Sequence, residues 1–192
     1  MPSNINKEVT LKLTTFRTAI LVISALVPPV SANAASCQQE GANAPLSLHK
    51  EWIMKGWERE EGDSAYDFAN KLGKFYDLNN TKGVFWDNFA PGDTQLFNDA
   101  ARYGDNWKSL QDAARSVRHG IRDGDALVGD DVASTTLGFV GRLERLTGEV
   151  IAFDARSQLA WTCVDGAWKI RHEINYAWVV EPKSIEPVLG QK

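Results

Sequence analysis

From Ser116 to the end of the chain, apolar and polar positions alternate with a period of two, which is the signature of half-buried β-strands. Four strands are predicted, at about 116–122, 132–142, 150–163 and 168–180. Asp123-Gly124-Asp125, Gly129-Asp130-Asp131, Thr147-Gly148 and Asp165-Gly166 supply turn chemistry between or within them. In the last strand Trp168, Ile170, His172, Ile174, Tyr176, Trp178 and Val180 share one face, and Lys169, Arg171, Glu173, Asn175 and Ala177 the other. The aromatic set should face the core, so the pattern predicts His172 inward and Glu173 outward beside Lys169 and Arg171, as a cross-strand ion-pair partner. The alternation over 155–163 is less clean, and a bulge there would exchange its faces; Arg156 is open to either side.

Upstream the period is helical. Leu48, Trp52, Ile53 and Trp57 recur at helix spacing until Gly62. A second helix starts with Asp63 or Ser64 as its N-cap and lines up Ala65, Phe68, Leu72, Phe75 and Tyr76. "VFWDNFAPGD" reads as a short strand running into a loop, and residues 94 to about 115 carry a third helical pattern, interrupted near Gly104. Helices followed by a run of antiparallel strands predict an α+β fold with the helices on one face of a curved sheet.

The first 34 residues change the picture of where the chain works. Lys7, Lys12 and Arg17 precede "TAILVISALV", two prolines, and Ala32 and Ala34 in small-x-small spacing, which together read as a secretory signal peptide cut after Ala34. The apolar run is shorter than the roughly 20 residues needed to span a bilayer. A lipid anchor on Cys37 is disfavoured, because Ala34 stands where leucine is usual. Cleavage leaves 158 of the 192 residues, with 35–47 as a linker, one domain over 48–182 and a tail over 183–192. Losing Lys7, Lys12, Arg17 and Glu8 takes the net charge from −4 to −6, so nothing argues for nucleic acid, or for a membrane once the signal is removed. The expected location is periplasmic or secreted. There Cys37 and Cys163 either pair or remain independent thiols.

A helical hairpin, "FYD…VFWDNFAP", an R-x-x-x-x-W strand (Arg156, Trp161) and "DGAWKIRHE" together resemble the SnoaL-like, or NTF2-like, superfamily over roughly residues 48 to 180. That superfamily includes ketosteroid isomerases, polyketide cyclases and a kinase association domain. The resemblance implies a conical α+β barrel, N-terminal helices packed on a strongly curved antiparallel sheet, with a small-molecule pocket at the wide end. It also implies a homodimer paired through the outer sheet face. Members often read H-E-H where this chain has His172, Glu173 and Ile174, which makes the pocket more apolar. Of the three isomerase groups, the base falls on Asp87, the tyrosine on Lys55 and the oxyanion acid near Ala160, so one survives.

The candidates are therefore Asp87 and His172 as catalytic groups, with Arg156, Tyr103, Trp86 and Tyr176 contacting a ligand. Asp87 with Asn88 equally suits a strand-ending turn, and Arg156 equally suits a structural ion pair. There is no zinc-type Cys/His spacing, no phosphate-cradling Gly-rich loop and no G-x-S-x-G, so neither metal nor cofactor is implied. The expected ligand is a small apolar or carbonyl-containing molecule, and the expected chemistry, if any, is proton transfer next to a carbonyl. A non-catalytic binding or association module is the alternative.

Overall fold

The structure is a computed structural model that describes residues 36–79 and 82–190; the predicted signal peptide lies outside the described residues. The chain runs through α1 (Pro45–Glu51), a π-helical stretch (Trp52–Gly56), α2 (Phe68–Leu72), β1 (Val84–Asp87), β2 (Leu96–Phe97) and α3 (Ala100–Asp112). It continues through β3 (Ala114–Val128), β4 (Val132–Arg145), β5 (Val150–Val164), β6 (Ala167–Val179) and α4 (Pro182–Leu189). The strands form one curved, unclosed sheet in the order β2-β1-β6-β5-β4-β3, antiparallel except where β1 runs parallel to β6. This is the expected α+β class.

The concave face carries the core. Trp52, Tyr76, Tyr103, Leu137, Leu159 and Trp161 are fully buried there, and removing each such side chain from water is worth roughly 2 kcal/mol or more. α3 runs unbroken through Gly104. The glycine serves packing, because a Cβ would sit 2.1 Å from the Phe68 ring. α2 is shorter than predicted: Asp67, not Asp63 or Ser64, caps it by accepting the Asn70 N–H. β3 continues through Asp123-Gly124-Asp125, taking up the irregularity as a register shift between Ile121 and Asp123 rather than turning. The Asp165-Gly166 turn forms as expected, both residues at positive φ (50° and 79°) between β5 and β6.

The segment read as a tail forms α4. Its Ile185 packs on Val140 and Ala152, which project to the face opposite the core. Cys37 and Cys163 are joined, Cα–Cα 5.7 Å, and the Trp168 indole donates to the Gln38 carbonyl at 2.7 Å. The disulfide closes 126 residues of chain separation. In the chain-entropy account a loop of that length is worth about 4–5 kcal/mol.

Candidate functional site

The site is made by one extra residue. Ala160 pairs with His172 while Trp161 pairs with Ile170, so Arg171 is a bulge in β6. Before it, Trp168 and Ile170 face the core; after it, Glu173, Asn175 and Ala177 do. The parity that held across the first half of the strand is exchanged in the second.

Two sequence readings are corrected as a result. His172 lies on the outer face, exposed, and not in the core. Glu173 is not an outer ion-pair partner but completely buried. Tyr176, 53 % exposed, and Trp86, half-buried opposite Ile174, also lie on the outer face and do not line a pocket. Arg156 is exposed as well, donating to both carboxylate oxygens of Asp123 at 2.5 and 2.9 Å, the structural ion pair rather than a ligand contact.

Buried Glu173 is held entirely by neutral donors. Tyr103 Oη and Asn175 Nδ2 donate to Oε1, each at 2.6 Å, and Tyr76 Oη donates to Oε2 at 2.6 Å. Tyr76 in turn accepts from the Trp52 indole at 2.8 Å. Burial pushes the Glu173 carboxyl up to about 7, against the lowering effect of these donors and with a further push from the charge of Asp87. Asn175 Nδ2 also donates to Asp87 Oδ2 at 3.0 Å, so one amide spans both carboxyls.

Asp87 ends β1 and does two things. Its Oδ1 accepts the Phe89 N–H at 2.7 Å, the turn-capping role its residue type favours, and its side chain also lines a cavity. Burial raises its pKa to about 6, opposed by the donors Phe89 N–H and Asn175. The cavity, about 110 Å³, lies among Trp57, Trp107, Phe139 and Phe153, with Tyr103 in its wall. The π-helical stretch places Trp52 and Ile53 along the same wall, its widened turn closed by the Trp57 N–H to the Trp52 carbonyl at 3.2 Å.

Two histidines are buried, with different surroundings. His49 sits between Thr135 Oγ1 (2.8 Å) and Ser157 Oγ (2.6 Å), satisfied and away from the cavity wall. His119 lines the cavity, edge-on to Phe139 and Phe153, and burial lowers its pKa to about 4, so it is neutral at pH 7. Among the described residues no group of three or more His, Cys, Asp or Glu side chains is placed to hold a metal ion.

The structure thus brings Asp87 and Tyr103 together and separates them from His172, Arg156, Trp86 and Tyr176. Glu173, Asn175 and His119 were not singled out as pocket groups from sequence. A usable signal was present: after Arg171 the small residue Ala177 shares its face with Glu173 and Asn175, while three large side chains share the other. A wall crowded by helices accepts the small set more readily.

No known family pattern and no curated protein matches the chain. Solved structures similar to it include an NTF2-like superfamily protein from Salmonella enterica, at 9% identity over 59% of this chain and 78% of that one, TM-score 0.46. Another is a type 2 hexachlorocyclohexane dehydrochlorinase (LinA), at 10% identity over 59% and 76%, TM-score 0.47. A third is the association domain of the C. elegans kinase CaMKII, at 14% identity over 67% and 87%, TM-score 0.44. The superfamily resemblance read from the sequence recurs among these neighbours.

Proposed function

We propose that this is an exported small-molecule protein whose cavity carries out proton transfer next to a carbonyl, with Asp87 as the base. The observation that carries the reading is a buried carboxylate in an aromatic cavity, with its pKa raised to about 6 and no lysine or arginine among the residues lining it. Held at Oδ1 by the Phe89 N–H and at Oδ2 by Asn175, the carboxylate is aimed without being neutralised. It removes a proton from the carbon beside the carbonyl, the C–H electron pair becomes the C=C bond of an enolate as the carbonyl π pair moves onto oxygen, and the proton returns from Asp87 to the same or a conjugated carbon as the carbonyl re-forms. No electrons are gained or lost overall. Glu173 and Tyr76 behind it position Asn175 and Tyr103 and do not contact the reacting atoms.

The test is hydrogen–deuterium exchange at the α-carbon of cyclopentanone, a ring ketone of the right size, followed by NMR. Asp87→Asn should lose the protein-dependent rate by about 100-fold or more while keeping its melting temperature within a few degrees. An undiminished rate in that variant ends the proposal.

Export is supported by the leader pattern and by the Cys37–Cys163 bridge, a bond characteristic of oxidising compartments. A role in assembly is favoured by a separate observation. The outer face of β2, β1 and β6 exposes Leu96 (60 %), Val84 (41 %), Ile174 (48 %), Tyr176 (53 %) and Trp178 (43 %) as an apolar patch that α4 leaves uncovered. A second copy of this chain, related by a twofold axis, would cover it.

A further inference from the structure

Most buried side-chain polar atoms in a folded protein have a partner. Here Trp57 Nε1, Trp107 Nε1, Gln111 Oε1, His119 Nδ1 and Asn175 Oδ1 are buried with none among the described residues, and all five residues line the same cavity. Leaving such a group unsatisfied costs on the order of 1–3 kcal/mol, so five of them on residues around one cavity call for a physical reason.

Four of the five belong to one end. The Trp57 and Trp107 rings pack edge to face at 5.3 Å, and Gln111, one turn beyond Trp107 on α3, donates its Nε2 to the Trp57 carbonyl at 3.3 Å. Arg59 bridges to Val117 on β3, and Glu58 Oε1 accepts the His119 N–H at 3.2 Å, which sets the Trp57 segment alongside His119. Tyr103 joins this end to Asp87: it lies 6.2 Å from Trp107 and 6.3 Å from Trp57, and Asn175 Nδ2 reaches 3.4 Å from its hydroxyl. The end offers two indole donors, one amide acceptor, and a neutral imidazole. It holds no charge.

We infer that Trp57, Trp107, Gln111 and His119 form a recognition end for an uncharged, ring-sized ligand with an adjacent acceptor and donor, the edge presented by a lactam or a carboxamide. The indoles donate to its carbonyl oxygen, and Gln111 Oε1 accepts from its N–H or O–H. Size sets the scale: an apolar cavity on the order of 150 Å³ holds benzene, so a cavity of about 110 Å³ suits a five-membered ring. An anion would meet Asp87, and no lining residue is a cation to receive it. The inference rests on this cavity being the ligand site proposed above and names the class of molecule it takes.

Four matched probes test it: 2-pyrrolidone, cyclopentanone, methylcyclopentane and pyrrolidinium, titrated into the full mature protein with the indole N–H resonances followed by NMR. Trp57→Phe and Trp107→Phe assign the two signals. 2-Pyrrolidone should bind about tenfold or more tighter than methylcyclopentane, since a good pair of hydrogen bonds is worth that factor, and should move both signals. Gln111→Leu and Trp107→Phe should each weaken 2-pyrrolidone about tenfold and leave methylcyclopentane unchanged. Equal binding of lactam and hydrocarbon, tighter binding of pyrrolidinium, or no shift with any probe overturns the inference. Asp87→Asn separates the two claims. If it keeps lactam binding while α-exchange never depended on Asp87, proton transfer fails alone. If exchange depends on Asp87 but 2-pyrrolidone does not bind, the recognition end fails alone.

Discussion

The two halves of β6 obey opposite rules. From Trp168 to Ile170 the strand buries its large apolar residues and turns Lys169 outward, as any half-buried strand does. From His172 to Trp178 it buries a glutamate and an asparagine and leaves an isoleucine, a tyrosine and a tryptophan about half-exposed. The first half is explained by solvent alone. The second makes sense if each face has something further to meet: on the inside, the hydroxyls of Tyr76 and Tyr103 and the aromatic cavity; on the outside, the second copy proposed above. A half-strand whose polarity is inverted on both faces at once marks the working part of the fold.

The most disruptive way to break that comparison is to insert one alanine between His172 and Glu173, just past the Arg171 bulge that separates the halves. The added residue exchanges the faces of the second half, driving Ile174, Tyr176 and Trp178 toward a filled core and Glu173 outward. The expected outcome is loss of a cooperative thermal transition by circular dichroism, whereas a stable insertion variant would show that the fold does not depend on which face of the second half looks inward.

A smaller effect comes from Glu173→Gln, which keeps the shape and removes the ionisable group. The folded pKa of Glu173, about 7, lies above the ordinary glutamate value of 4.5, so its protonated form is favoured in the folded state. Its contribution is full below pH 4.5 and is lost as pH rises through 7, by roughly 3 kcal/mol. Asp87, raised from 3.8 to about 6, has the same sign. His49 and His119, lowered from 6.5 to about 3 and about 4, have the opposite sign, because the unfolded chain takes up their protons as pH falls below 6.5. The raw stability profile mixes all four. The difference between wild type and Glu173→Gln isolates one: wild type should lose stability relative to the variant between pH 4.5 and 7, measured by urea unfolding. A pH-independent difference would mean Glu173 does not change its protonation there.

The smallest effect on folding should come from the outer face. Trp178→Ser, at a side chain already 43 % exposed, should change monomer stability by about 0.5 kcal/mol or less while converting a dimer to monomer in analytical ultracentrifugation. A wild-type monomer at high concentration would remove the second copy as the occupant of that face.

Much of the fold was legible. The switch from helical to alternating periodicity located every long strand, and the apolar stripe containing Trp52, Ile53 and Trp57 marked the wall that now lines the cavity. Asp87 was reachable through the family resemblance, which placed the isomerase base at the end of the short strand "VFWD". His172 and Glu173 were assigned to the wrong faces for one reason: a parity rule holds only until a residue is inserted, and no composition within the strand announced Arg171 as the insertion. The disulfide was equally invisible, since pairing depends on a Cα–Cα distance of 5.7 Å between residues 126 apart.

What the sequence by itself determined was therefore local: which segments are helix or strand, where Asp165-Gly166 must turn, and that an α+β sheet would curve around aromatic helices. Those follow from backbone sterics and from periodicities set within a few residues. The tertiary structure decided which face of β6 looks inward past Arg171. That choice is made by hydroxyls 97 and 70 residues from Glu173, on Tyr76 and Tyr103, together with pairing to β5 on one side and β1 on the other. A buried carboxyl is tolerable only when such donors converge on it, and their convergence is a property of the folded chain.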